Sequence, residues 1–80
     1  MTELDLRGIP CPLNFIRTRL ALEQVPVGDA LTVDLDRGEP EVTVTSGLRL
    51  AGHAVTVEPH PDDASAVRLW IQRAMPAAGG

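Results

Sequence analysis

The chain has 80 residues, 44% of them hydrophobic, and a formal net charge of −4. This length predicts one small domain, because a core of this size covers a sheet with a single layer of helices. The acidic balance argues against binding nucleic acid through its phosphates, and no apolar run approaches the roughly 20 residues that a membrane span needs.

Four segments alternate apolar and polar residues with the period of a strand that buries one face. The first reads ELDLR and the second ALTVDLD, and the later two, AVTVE and AVRLWIQ, repeat the pattern. They predict strands over residues 3–7, 30–36, 54–58 and 66–72. Trp70 alternates with Leu69 and Ile71, so we expect its ring on the open face of the sheet.

A helix is predicted over residues 12–25, with Pro12 at the first helical position, where a missing N–H costs nothing. It carries two apolar seams that cannot both face the sheet. One seam, predicted to be the core stripe, comprises Phe15, Thr18, Leu22 and Val25. The other comprises Leu13, Ile16 and Leu20, and either packs on a second helix or docks a partner protein.

A second helix is predicted over residues 40–51, although VTVT within it favours a strand and Gly47 weakens a helix by about 1 kcal/mol. Pro40 can open this helix and Gly52 can cap it. The resulting fold class is α/β, an α+β two-layer sandwich of order βαβαββ. Its four-stranded mixed sheet carries both helices on one face. We expect a single domain over residues 1–75 and a flexible tail over 76–80.

Cys11, the only cysteine, lies where the first strand gives way to the first helix. It can form no internal disulfide, so we expect a cytoplasmic protein that keeps the thiol reduced. A helix N-terminus favours an anion, and Arg7 could add positive charge there. Pro10 and Pro12 fix the backbone on both sides of the sulfur. This pattern favours a reactive thiol over a buried structural cysteine.

The stretch DLRGIPCPLNFIRTRLAL resembles the opening of the TusA/SirA family of small sulfur carrier proteins, and LAGHAV resembles that family's second helix and third strand. Members end their first strand in a Leu-Arg-Gly turn and then carry a Cys-Pro-x-Pro motif. The resemblance runs from Leu4 to about Arg73. Gly8 and Pro12 match the motif, whereas Asn14 replaces its second proline and could donate a hydrogen bond near the sulfur.

This resemblance implies that Cys11 accepts sulfane sulfur as a persulfide from a donor such as a cysteine desulfurase or a rhodanese. The sulfur then passes to an acceptor protein, in pathways such as tRNA thiolation, molybdenum cofactor synthesis or sulfur oxidation. The carrier needs no cofactor beyond the covalently bound sulfur. We expect a monomer or weak self-association, without direct contact to nucleic acid or membrane.

Two other functions remain open. In one, the domain is a regulatory or adaptor module in which Cys11 only caps the helix. In the other, Gly79 and Gly80 form a thiocarboxylate terminus. His53 and His60 are expected in caps or exposed loops, with no zinc spacing and hence no metal site. The acidic residues Asp34, Asp36, Glu39 and Glu41 are expected to form a solvated edge and a helix start.

Overall fold

The structure, a computed structural model, describes residues 2–73. It has the element order predicted from the sequence, in an α+β fold with a four-stranded mixed sheet and two helices. The predicted tail and the glycine pair at the C-terminus lie outside the described residues. The elements are β1 Thr2–Asp5, α1 Leu13–Glu23, β2 Ala30–Asp36, α2 Glu39–Leu50, β3 Ala54–Pro59 and β4 Ala66–Gln72.

The sheet has the strand order β1-β2-β4-β3, with β1 parallel to β2 and β4 antiparallel to both of its neighbours. A parallel pair requires a crossover connection, and α1 supplies it between β1 and β2. The connection through α2 passes over β4 to the far edge of the sheet. The strands β1 and β3 therefore form the two edges.

The core lies between the sheet and the two helices. Trp70 projects to the opposite, open face, where its Nε1 donates a hydrogen bond to Glu58 Oε2 at 2.9 Å. Alternate side chains of the central strands are buried, as their period of two requires. These side chains are Leu31, Val33 and Leu35 of β2 and Val67, Leu69 and Ile71 of β4, and they pack with Leu22, Val44 and Leu48 of the helices.

The two helices meet at Phe15 and Gly47. A Cβ atom at Gly47 would lie 2.5 Å from Phe15 Cε1, so the ring occupies the space that any larger residue would need. A glycine that lowers helix propensity thus admits an aromatic ring between the helices. This contact explains why the second helix retains Gly47 at its middle.

Both helices end close to their predicted limits. α1 begins at Leu13, one residue after Pro12, and ends at Glu23, two residues before Val25, which is nevertheless buried. α2 begins at Glu39, one residue before Pro40, and ends at Leu50, and the predicted cap residue Gly52 follows it with a φ of +93°, which suits glycine. His53 N–H donates to Leu48 O in a Schellman-type cap. No helix within residues 2–73 is long and apolar enough to cross a membrane.

Candidate functional site

The loop that carries Cys11 is held to the end of the sheet by backbone hydrogen bonds. Leu6 is buried, and its N–H donates to Asp34 O at 2.9 Å. Ile9 N–H then donates to Leu6 O at 3.1 Å, and Gly8 has a φ of +80°, as in a type II turn. Gly8 N–H donates to Asp36 Oδ2 at 2.8 Å. The turn before Cys11 is therefore fixed on the end of β2.

Arg7 supports the same loop through ion pairs. Its Nε and Nη2 donate to Asp5 Oδ1 at 2.9 Å and Oδ2 at 2.8 Å, and its Nη1 donates to Asp63 Oδ2 at 3.2 Å. The hydrogen bonds from Arg7 lower the pKa of Asp5 to about 2. The hydrogen bonds of Arg7 thus go to these two carboxylates, and the residue ties the Cys11 loop to the loop between β3 and β4.

Cys11 is exposed, and Asn14 lies directly behind its sulfur. Asn14 is fully buried, and its Nδ2 donates to Cys11 Sγ at 3.3 Å. The Oδ1 atom of the same amide accepts from Phe15 N–H at 2.7 Å, while Asn14 O accepts from Thr18 Oγ1 at 2.8 Å. Both ends of the amide are therefore engaged, which fixes the Nδ2 donor toward the sulfur.

The backbone amides at the start of α1 are less available than the sequence led us to expect. The peptide bond between Cys11 and Pro12 is cis, and Pro12 stands at the N-cap without an N–H group. Asn14 N–H donates to Pro10 O at 3.1 Å, and Phe15 N–H donates to the Asn14 side chain. Two first-turn amides thus have partners already, and the Asn14 side chain supplies a donor to the sulfur.

Beside the sulfur, α1 presents an exposed apolar surface that we call the α1 patch, made of Leu13, Ile16 and Leu20. Their relative exposures are 40%, 47% and 57%. The alternative that this seam packs on the second helix is therefore wrong, because α1 meets α2 through Phe15 instead. The remaining alternative is that the α1 patch docks a partner.

His53 lies in the C-terminal cap of α2, as predicted, whereas the predicted surroundings of His60 and Asp34 need correction. His60 is buried, with Nε2 at 3.2 Å from Asp34 Oδ2, whereas the sequence placed it in a cap or an exposed loop. Asp34 is bound by Arg68, whose hydrogen bonds lower its pKa, so it is no solvated edge residue. Glu39 lies in the first turn of α2, as predicted. The described residues contain no group of three or more potential metal ligands among His, Cys, Asp and Glu.

Sequence reasoning missed the part that Asp36 and Asp63 play in positioning the Cys11 loop. Asp5 pairs with Asp34 in the parallel register of β1 and β2, which brings Asp36 beside the turn at Gly8. The alternating residues of β1 and β2 indicate which side chains share a face of the sheet, and so indicate this register in part. Asp63 lies 56 residues from Arg7 along the chain, and no local pattern joins the two.

Comparison with known proteins gives consistent matches. The family described as Sulfurtransferase TusA matches residues 2–73. A proposed sulfur carrier protein of Archaeoglobus fulgidus is 43% identical over 53 residues, which cover 65% of this chain and 59% of that protein. The proposed sulfur carrier protein YrkI of Bacillus subtilis is 26% identical over 88% of this chain and 91% of its own length. In fold, the chain is similar to the crystal structure of a SirA-like protein from Desulfitobacterium hafniense. The TM-score is 0.78 at 18% identity, over 94% of this chain and 100% of that one.

Proposed function

Since the chain belongs to the TusA sulfurtransferase family, we propose that Cys11 carries sulfane sulfur between two proteins. The Cys11 thiolate attacks the outer sulfur of a donor persulfide, a new S–S bond forms on Sγ, and the donor thiolate leaves. A thiolate of the acceptor protein then attacks the carried sulfur, and the Cys11 thiolate leaves in turn. Each step exchanges one S–S bond for another and needs no external oxidant.

The observation that carries this proposal is an exposed thiol with a fixed hydrogen-bond donor behind it. The Nδ2 atom of Asn14 lies 3.3 Å from Sγ, and its N–H can stabilise negative charge on the sulfur, both on arrival and on departure of the carried atom. The chain has no second cysteine to expel that atom as an internal disulfide. A cytoplasmic location fits the proposal, because a reducing compartment keeps the thiol free between cycles.

The α1 patch is the proposed docking surface for the donor and the acceptor, which we expect to be a cysteine desulfurase or rhodanese-like protein and a second thiol protein. The patch exposes three aliphatic side chains along α1, the helix that directly follows Cys11. Exposed apolar groups clustered beside a reactive group are typical of protein interaction sites.

The direct test is the intact mass of the unreduced protein after incubation with a cysteine desulfurase and cysteine. We expect a gain of about 32 Da, reversed by a reductant and absent in Cys11→Ser. A folded protein whose thiol can be alkylated but gains no sulfur from several donors would contradict the proposal.

Docking is tested by comparing Leu20→Ser with Leu50→Ser in the rate of sulfur transfer from the donor. Both leucines are exposed on helices, at 57% and 89%, but only Leu20 belongs to the α1 patch. We expect Leu20→Ser to raise the KM for the donor protein and Leu50→Ser to leave it unchanged. Equal effects of the two substitutions would exclude the patch as the docking surface.

An adaptor function remains the second candidate, because an exposed apolar patch would serve it equally well. Cys11→Ser separates the two. The variant should still bind the partner through the α1 patch but lose sulfur transfer if the protein is a carrier. An adaptor would retain both its binding and its biological effect.

A further inference from the structure

The edge strand β3 carries outward-facing backbone groups that belong to no hydrogen-bond ladder of the sheet. His60 N–H donates to Ala66 O at 3.2 Å, which sets the side on which this chain segment bonds to β4. Successive residues of a strand direct their N–H and C=O groups to opposite sides. Val55, Val57 and Pro59 therefore direct these groups away from β4. The hydrogen bond from Arg49 Nη2 to Val55 O, at 3.1 Å, agrees with this direction.

We propose that β3 pairs with β3 of a second copy of this chain, antiparallel and with the two-fold axis at Val57. In this register each Val57 exchanges N–H and C=O bonds with Val57 of the second copy. Val55 N–H then donates to the carbonyl of Pro59 in the other chain. Pro59 has no N–H group that could donate to Val55 O of the other chain. Val55 O does not lack a donor, because it already accepts from Arg49 of its own chain.

The side chains in this register are compatible on both faces of the joined sheet. On the helical face, Val57 meets Val57 and Val55 meets Pro59 of the second copy, and both valines are only half-buried in one chain. On the open face, Thr56 meets Glu58 of the second copy. Apolar pairs stabilise neighbouring strands, and none of these pairs places like charges directly opposite each other.

Charges on α2 favour the same two-fold arrangement. The residues that line the groove between α2 and β3 are Glu41, Val42, Thr45, Ser46, Arg49 and Val57. Arg49 lies at the Val55 end of the groove, and Glu41 lies two turns earlier on α2, toward the Pro59 end. Antiparallel pairing brings the Val55 end of one copy to the Pro59 end of the other. Arg49 of each copy therefore faces Glu41 of the other copy.

The proposed dimer leaves the carrier site open, because the loop with Cys11 follows β1 at the opposite edge of the sheet. Formation of this dimer does not depend on the proposed function. It requires only a sufficient concentration of the chain.

Sedimentation equilibrium of the full chain over a range of concentrations tests the pairing. We expect the average mass to rise from the 8.6 kDa of one chain toward twice that value. Glu41→Arg and Arg49→Glu should each lower the association constant at least about tenfold, because each places like charges across the interface. An equimolar mixture of the two variants should recover association, because both contacts are then between opposite charges.

Arg17→Glu is the matched control, since this exposed arginine lies on α1, away from the β3 edge, and should leave association unchanged. Circular dichroism checks that each variant is folded, and amide exchange at Val57 should slow as the protein concentration rises. A chain that stays monomeric at millimolar concentration would overturn the proposal. So would a dimer that neither single charge reversal weakens, or a mixture of the two variants that does not associate.

Discussion

The inner and outer faces of α1 have similar apolar composition but opposite surroundings. Leu22 on the inner face is 4% exposed, whereas Leu20, two residues earlier, is 57% exposed. The sheet and α2 cover the inner face, where the ring of Phe15 fits against Gly47, whereas the three residues of the α1 patch stay 40 to 57% exposed. The inner face therefore stabilises the fold, and the outer face stays available to a partner.

The largest difference between the two faces should appear on truncation of these leucines. Leu22→Ala removes buried methyl groups and should lower the free energy of unfolding by about 2 to 5 kcal/mol. Leu20→Ala removes the same atoms from a solvated position and should change it by less than about 0.5 kcal/mol. Urea unfolding followed by Trp70 fluorescence measures both values. Similar losses in the two variants would show that the outer face also contributes to the fold.

Asn14 belongs to the inner face by burial but to the site by its contact with sulfur. Asn14→Ala should lower the free energy of unfolding by about 1 to 3 kcal/mol, because it leaves polar groups without partners. It should also slow alkylation of Cys11 by iodoacetamide at fixed pH, since the N–H donor to the sulfur is lost.

Asn14→Asp sharpens this test, because the shape is kept while the donor becomes a carboxylate that repels a thiolate. We expect alkylation to be slower in Asn14→Asp than in Asn14→Ala. A rate equal to that of the unaltered protein in both variants would remove Asn14 from the site and leave it a structural residue.

The effect of Gly47→Ala on the free energy of unfolding should change sign with the residue at position 15. Gly47→Ala should destabilise the protein by about 1 to 3 kcal/mol, because the new methyl group displaces the Phe15 ring. In a Phe15→Ala background the same substitution should stabilise it by up to about 1 kcal/mol, through the higher helix propensity of alanine. Thermal unfolding of the four proteins in this cycle measures the coupling. Additive effects would mean that the ring does not select the inner face.

The order of elements could be predicted because strands with one buried face and helices carry different periods, and the alternation at Leu31, Val33 and Leu35 is unambiguous. The core stripe of α1 could be predicted from its spacing as well. Whether the Leu13 seam packs on α2 or stays exposed could not, because Gly47, which receives the Phe15 ring, lies in another element. At the site, the position of Cys11 followed from the motif, and the donor role of Asn14 followed from the replacement of the motif's second proline by an amide. The burial of His60 depended on Asp34, 26 residues away, a tertiary contact that no local pattern contains.

The smallest expected effect concerns the charged loop that precedes the outer face. Arg7→Gln removes the side-chain hydrogen bonds that contribute most to lowering the pKa of Asp5 to about 2 and keeps the one from the backbone N–H, so this pKa should move part of the way toward its ordinary value of 3.8. A lowered pKa in the folded protein stabilises it above the ordinary value, and this contribution is lost as the pH falls through about 2. The substitution should therefore remove a small, pH-dependent part of the stability, because Asp5 is exposed and the ion pair is screened. Carboxyl chemical shifts measured by NMR during acid titration give the pKa directly.

Arg37→Gln is the matched control, since Arg37 Nε donates to the carbonyl of Ala64 and not to a carboxylate. A pKa of Asp5 that moved equally in both variants would assign the shift to the loop as a whole and not to Arg7.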